Sequence, residues 1–349
     1  MNPNHSNIGK ESLCIIRLSA IGDVTHMLPI IHSIQKFRPQ TQITWIIGKV
    51  EHKLVGDLPN VEFIVFDKRL GLGAYSNVLR QLKGRSFDVL LACQVSLRAN
   101  ILTKLIRARR KVGYDKTRAK DCHALVVNET IQPANIHVLD SFFQFIEHIG
   151  ITHKKLDWSV PIPEDAQQFV EHILPDHQTI VAISPCSSHS LRNWHAEGYA
   201  TVANHAISKH QAKIILLGGN SDLEKEFGEK ISALLTEPAI NLIGKDTLKK
   251  LLAILQRCTV LLTPDSGPAH MATCVNTPVI ALHAATNSMR SGPYLSQQWC
   301  VDKYQDATLK YLGKSPREIR WGTKVEKPGV MSLIKTEDVI IKLDQLLEH

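Results

Sequence analysis

Short runs of β-branched and aliphatic residues alternate with amphipathic stretches along the whole chain. Parallel strands buried on both faces and covered by helices impose this pattern. In the first half, the runs Leu13–Arg17, Ile43–Ile47, Phe63–Phe66, Val89–Ala92 and Lys111–Tyr114 predict strands. Between the first two, apolar residues at 24, 27, 28, 31 and 34 predict a helix from Gly22 to Phe37 that stops at Pro39.

A second series repeats the arrangement: Thr179–Ile183, Ile214–Leu217, Asn241–Ile243, Val260–Leu262 and Val279–Leu282. Prolines at 161, 163 and 175 punctuate the stretch between, so residues 158–175 read as a linker. It would join an amino-terminal domain, 1–157, to a carboxyl-terminal one, 176–349. A chain of 349 residues also exceeds the size at which one core usually stops growing. The fold class expected is α/β, two Rossmann-like doubly wound parallel sheets facing a central cleft, with ligands at the carboxyl ends of the strands. A last helix, about Lys335 to Leu347, is compatible with packing on either domain.

Composition alters this picture little. An apolar share of 44% with 21% charged residues excludes disorder beyond a polar start, Met1–Lys10. Seven cysteines, with no CxxC pair, give neither a zinc site nor a disulfide framework and fit a reducing compartment. The first residues lack the order of a signal peptide, and no apolar run approaches the roughly 20 residues of a membrane span.

Charge alters it more. The net charge of +8 lies wholly in the first half: residues 1–150 hold 20 Lys and Arg against 12 Asp and Glu, and residues 151–349 hold 21 of each. Between Arg98 and Lys120 stand nine basic residues (Arg98, Lys104, Arg107, Arg109, Arg110, Lys111, Lys116, Arg118 and Lys120) and one acidic residue, Asp115. Such a stretch either meets an anionic partner, be it a phosphorylated substrate, a membrane surface or nucleic acid, or is the solvated face of a basic protein.

Three constellations carry candidate chemistry, each after a predicted strand. In Arg17-Leu18-Ser19-Ala20-Ile21-Gly22-Asp23-Val24, a small-residue turn opens a helix. Asp23 there is either a helix cap or a general base for an attacking hydroxyl. In Ser184-Pro185-Cys186-Ser187-Ser188-His189-Ser190-Leu191-Arg192-Asn193-Trp194, paired hydroxyls precede an arginine, a set suited to phosphate oxygens. In Asp265-Ser266-Gly267-Pro268-Ala269-His270, a glycine turn leads to a helix start with unpaired N–H groups, an anion seat that His270 can join. Asp265 is equally at home as a turn former.

Other chemistries lack their signatures. No GxGxxG follows the first strand and no GxxxxGK[ST] occurs, against a nicotinamide dehydrogenase and an ATPase. There is no Asp-x-Asp pair, and the Glu224/Glu226 pair falls in a predicted solvent-facing helix, so a metal bridge to a diphosphate has no evident ligands.

Taken together and in this order, the constellations resemble those of the ADP-heptose:lipopolysaccharide heptosyltransferases, inverting glycosyltransferases of the GT-B fold. The resemblance covers nearly the whole chain. Its most specific marks are Arg17-Leu18-Ser19-x-x-Gly22-Asp23-Val24 with His26 and Leu28-Pro29, the loop ending in Trp194, and Asp265 to His270. It implies Asp23 as the catalytic base, and donor contacts from Ser187, Ser188, Arg192, Asp265, Ser266, Gly267 and His270, with Asp222 loosely placed to meet the ribose. It further implies an acceptor-binding first domain, whose Arg107, Arg109, Arg110, Lys111, Arg118 and Lys120 would meet a Kdo-lipid A acceptor. No metal or other cofactor is called for. The enzyme would work in the cytoplasm, peripherally attached to the inner membrane, and no nucleic acid is expected.

Two rivals are left. A transferase of the second heptose, another sugar-nucleotide-dependent transferase or an epimerase on the same scaffold would share the fold. A nucleotide sensor with a nucleic-acid-binding first domain would explain the charge, but only Tyr114 interleaves an aromatic with the basic stretch and no nucleic-acid-binding motif is visible.

Overall fold

The computed structural model describes residues 11–174 and 178–348. The polar start Met1–Lys10 and the last linker proline, Pro175, lie outside the described residues. Two compact units divide the chain: residues 1–134 with 138–161, and residues 135–137 with 162–349.

The first unit is built on a six-stranded parallel sheet, order β3-β2-β1-β4-β5-β6. Its strands are β1 (Ser12–Ile16), β2 (Gln42–Gly48), β3 (Val61–Phe66), β4 (Phe87–Leu91), β5 (Ala108–Gly113) and β6 (Glu129–Thr130). The central strands are buried on both faces because helices cover both; hence their unbroken apolar runs. The register aligns Leu13 with Ile43 and with Val89, and Val89 with Arg110. The helix Ile21–Phe37 carries Pro29 in its interior, and eleven of its seventeen residues are buried.

The second unit repeats the topology in the order β12-β11-β10-β7-β8-β9. Here the strands are β7 (Ile180–Ile183), β8 (Lys213–Leu216), β9 (Ile240–Asn241), β10 (Val260–Pro264), β11 (Val279–His283) and β12 (Val301–Asp302). Ten strands fall on the predicted runs. The two-residue edge strands β6 and β12 have no run of their own and form because a neighbour offers open backbone groups.

The stretch read as a linker is ordered where it is described. Trp158 is buried, and the preceding Lys155 and Asp157 are pinned to the helix Ile21–Phe37 through Ser33 and His32. After Pro163 the chain forms a helix, Glu164–Ile173, with two acids in its first turn, matching the helix dipole, and Ala166 and Val170 buried. It packs on the helix Leu248–Arg257, with the Lys250 ammonium 4.2 Å from the Phe169 ring centre. The prolines thus bracket a helix of the second unit. The last helix, Thr336–Leu347, packs on the helix Ala196–His210 and buries Val339 and Leu343 in the second unit's core.

Candidate active site

In the first unit, β1 ends in a tight turn, with a cis Ser19–Ala20 peptide, that opens the helix Ile21–Phe37. Gln94 clamps it: its Oε1 accepts from the N–H groups of Leu18, at 2.7 Å, and Ser19, at 3.2 Å. Gly48 gives it room, since a Cβ there would come within 2.3 Å of the Leu18 carbonyl oxygen. Asp23 does not cap the helix. The cap residue is Ala20, without a side-chain bond, and Asp23 lies in the first turn, where the Arg17 guanidinium pairs with its Oδ2. Arg17 is itself fixed, donating to the Cys93 carbonyl at 2.7 Å and lying over the Phe142 ring. The Asp23 side chain keeps 33% of its surface exposed. One oriented carboxylate oxygen and one unclaimed by Arg17 are what a hydroxyl-deprotonating group needs.

The basic stretch is divided by the sheet. Arg107, Arg109 and Arg110 lie at the amino end of β5, level with the start of β1, whereas Asp23 follows the opposite end. Arg110 forks onto Glu129 with two bonds of 2.8 Å and holds that carboxyl down at about 2. Lys111 donates to the Thr103 carbonyl at the end of the helix Leu97–Leu105. These four therefore do not accompany Asp23 and are placed at the other end of β5 or engaged with the neighbouring helix. Arg118 and Lys120 follow the carboxyl end of β5. Arg118 is bound by Asp115, Ser141 and the Gln132 carbonyl, which leaves Lys120 exposed on the Asp23 side.

In the second unit, β7 and β10 are neighbours, so the loops that leave their carboxyl ends lie side by side. Thr263 links them, its hydroxyl bonded to the Ser184 carbonyl and to the Ser266 hydroxyl, both at 2.8 Å. Ser266 thus leaves the N–H groups of the helix Gly267–Cys274 without a side-chain cap. They face outward as donors. The Ser187 hydroxyl is engaged with the backbone of His189, Asn193 holds the Ser187 N–H, and Ser188 is exposed.

Arg192 lies between two carboxylates. Its Nε and one Nη donate to Glu326 at 2.9 and 2.7 Å, and its other Nη is 3.5 Å from Asp265. Burial alone would raise the Asp265 carboxyl. The charges of His283, His270 and Arg192 and a bond from Thr286 outweigh it and hold the group below its ordinary range. Lys324, beside Arg192, is pushed down by burial first and by that guanidinium second. Glu326, Lys324, His283 and Thr286 were not foreseen from sequence; they are remote in the chain and belong to no motif.

Asp222 was loosely matched to a ribose-contacting place beyond the Gly218-Gly219 turn. It stands exposed at the start of the helix Asp222–Ala233, while Glu224 closes a capping box, its Oε2 accepting from the Ser221 hydroxyl at 2.6 Å and its Oε1 from the Gly219 N–H at 2.8 Å. The carboxylate at the Gly218-Gly219 turn is therefore Glu224. Near it lies Asp246, pushed up to about 6 chiefly by burial. Ser221-x-x-Glu224 was the signal available in the sequence.

Two doubly wound parallel sheets, one ending in a turn with an accessible carboxylate and the other in a cationic seat at a helix start, have the architecture of the GT-B class. The model of glycosyltransferase family 9 (heptosyltransferase) matches residues 76–318. The lipopolysaccharide core heptosyltransferase OpsX of Haemophilus influenzae is 39% identical over 96% of this chain and 97% of its own length. The chain belongs to glycosyltransferase family 9, the heptosyltransferases. Among solved structures, a family 9 glycosyl transferase from Veillonella parvula superposes with a TM-score of 0.81 at 22% identity, covering 98% of each chain. E. coli heptosyltransferase WaaC with ADP gives 0.68 at 17%, covering 83% of this chain and 92% of its own.

Proposed function

We propose that this heptosyltransferase moves L-glycero-D-manno-heptose from ADP-heptose to Kdo of lipid A, plain or phosphorylated, in the lipopolysaccharide inner core. The observation that carries the donor half is Arg192 beside an uncapped helix start, with Asp265 and His270 next to it. A diphosphate replaces the loop's own backbone as partner of the Ser187 hydroxyl, meets the exposed Ser188 hydroxyl, and takes the Arg192 fork and the Gly267 turn. Asp265 meets the heptose, and Glu224, in place of Asp222, meets the ribose.

In the transfer, the acceptor oxygen forms its bond to the anomeric carbon as the bond from that carbon to the diphosphate oxygen breaks. Asp23 takes the acceptor proton, and ADP departs with its charge met by Arg192, His270 and the helix N–H groups. A single displacement inverts the anomeric centre. No step calls for a metal, and turnover is expected to persist in EDTA.

The acceptor half rests on charge and exposure. On the helix Leu97–Leu105, Leu97, Ile101 and Leu105 are 60%, 37% and 45% exposed, one above another at four-residue spacing. Arg98 and Lys104 flank them, and the Asn100 side chain bonds the carbonyls of Lys120 and Asp121. An apolar stripe set among cations suits peripheral contact with an anionic bilayer, such as the cytoplasmic leaflet that would present the acceptor. No helix among the described residues is long and apolar enough to cross a membrane.

The test is an assay of ADP-heptose against Kdo-lipid A, phosphorylated Kdo-lipid A and heptosylated acceptors, with the product mass measured. One added heptose on a Kdo acceptor supports the assignment. Transfer to the heptosylated acceptor alone, or donor turnover without acceptor, replaces it with a later transferase or an epimerase.

A further inference from the structure

At the opposite end of the second sheet from the donor seat, two helices bring three metal-ligating side chains to one point. The helix Ala196–His210 runs back from the carboxyl edge of the sheet and ends just before β8 begins, and Thr336–Leu347 packs along it. His205 and His210 on the first and Asp344 on the second each offer a ligand atom, and these lie within 4.8 Å of one another. Both imidazoles reach the same oxygen: Nε2 of His205 is 2.8 Å and Nε2 of His210 2.6 Å from Asp344 Oδ1. The other oxygen, Oδ2, accepts from the Lys209 ammonium at 2.9 Å, which also pairs with Glu348 at 2.8 Å.

His210 and Asp344 both lie in the last turn of their helices. The carbonyls left unpaired there place partial negative charge around the carboxylate, and a cation is favoured. All three side chains are half-buried, so an ion can enter from solvent and keep a water.

We propose that His205, His210 and Asp344 bind one divalent transition-metal ion of the Zn2+ class, which staples the last helix to Ala196–His210. Two imidazole nitrogens and one carboxylate oxygen suit a borderline ion, whereas Mg2+ and Ca2+ demand shells of oxygens. On binding, each ring presents its Nε2 lone pair to the ion, at about 2.0–2.1 Å, and any Nε2 proton goes to solvent or is carried on Nδ1. Lys209 stays on Oδ2, outside the coordination shell, where its charge opposes that of the ion. The ion is structural: it sits across the sheet from the donor seat.

The full chain, stripped with chelator and dialysed, is titrated with Zn2+ against a chromogenic competitor, and with Co2+ as a spectroscopic probe. One site per chain is expected, with a melting temperature raised by Zn2+ and unmoved by Mg2+. His205→Gln, His210→Gln and Asp344→Asn should each weaken Zn2+ about ten-fold or more. Lys209→Met keeps all three ligands and removes a competing charge, so it should bind at least as tightly as wild type, a readout that stands even where a ligand variant folds poorly. Zn2+ binding weaker than about 100 µM, or binding and a melting shift that survive in a His205→Gln/His210→Gln double variant, overturns the assignment.

Discussion

Asp23 and Asp265 each follow the carboxyl end of a central strand, one within the first turn of a helix and the other in the loop before one, and their surroundings differ in kind. Asp23 has one cationic partner, Arg17, and keeps a third of its surface in solvent. Asp265 is enclosed by His283, His270, Arg192 and Thr286. A carboxylate that must receive a proton needs an oxygen that a hydroxyl can reach. One that gathers cations for a diphosphate needs the opposite, a fixed place among them. In the proposed reaction one residue type takes two roles set by its neighbours: proton acceptor for Asp23, and for Asp265 a fixed hold on the cations beside the heptose.

The sharpest way to break this comparison is Asp23→Ala. Turnover should fall by about 10²-fold or more while ADP affinity stays near that of wild type. Steady-state assays paired with ADP titration calorimetry read both quantities. Unchanged turnover removes Asp23 from the chemistry, and lost ADP affinity would mean that the two aspartates are not divided as argued.

Arg192→Met is the complementary change. It deletes the fork between Asp265 and Glu326, and ADP should bind about 10- to 100-fold more weakly, as expected for losing charged hydrogen bonds. Arg192→Lys should recover part of this, restoring the charge without the planar geometry. If Arg192→Met binds ADP normally, Glu326 is the true partner of the guanidinium and the diphosphate lies elsewhere.

These contrasts were only partly legible in the sequence. The strands were, because a strand buried on both faces must be written as an apolar run, and the three loops were, because glycine, serine and aspartate cluster where a strand turns into a helix. Glu326 was not: it lies 134 residues from Arg192, and nothing local marks a carboxylate that folds back onto a distant guanidinium. The division of the basic stretch was not legible for a related reason. Counting charges from Arg98 to Lys120 reports composition, but β5 runs through the stretch and carries its members to opposite ends of a sheet. Asp222 drew the eye because it follows the Gly-Gly turn in sequence, whereas the side chain three residues past the helix cap is the one that folds back to that turn.

Gly48→Ala tests the Asp23 side from beneath. The new Cβ would meet the Leu18 carbonyl at 2.3 Å, backbone that cannot rotate away, so the turn carrying Asp23 must shift. A stability loss of about 1–3 kcal/mol is expected from such overpacking. Turnover should fall with ADP affinity retained, measured by denaturant melts and the same paired assay. Full turnover in a destabilised protein would show that Asp23 tolerates displacement and is not positioned with the care proposed here.

Asp246 extends the comparison to a carboxylate on which burial outweighs the pull of the nearby Lys250. Its Oδ2 is buried with no hydrogen-bond partner among the described residues, and burial, with Glu224 nearby, pushes the group up to about 6, where Asp265 is held down despite being enclosed. A folded-state value above the unfolded value of about 3.9 means that stability is full below pH ~4 and is lost as pH rises through ~6. Asp246→Asn cannot ionise and escapes that loss. It should exceed wild type in stability by about 1–2 kcal/mol at pH 7.5, less than the full shift because solvent reaches the site, and match it at pH 4. Urea melts at the two pH values decide it: a gain equal at both would come from packing, and no gain at either would mean that Asp246 finds a cation as Asp265 does.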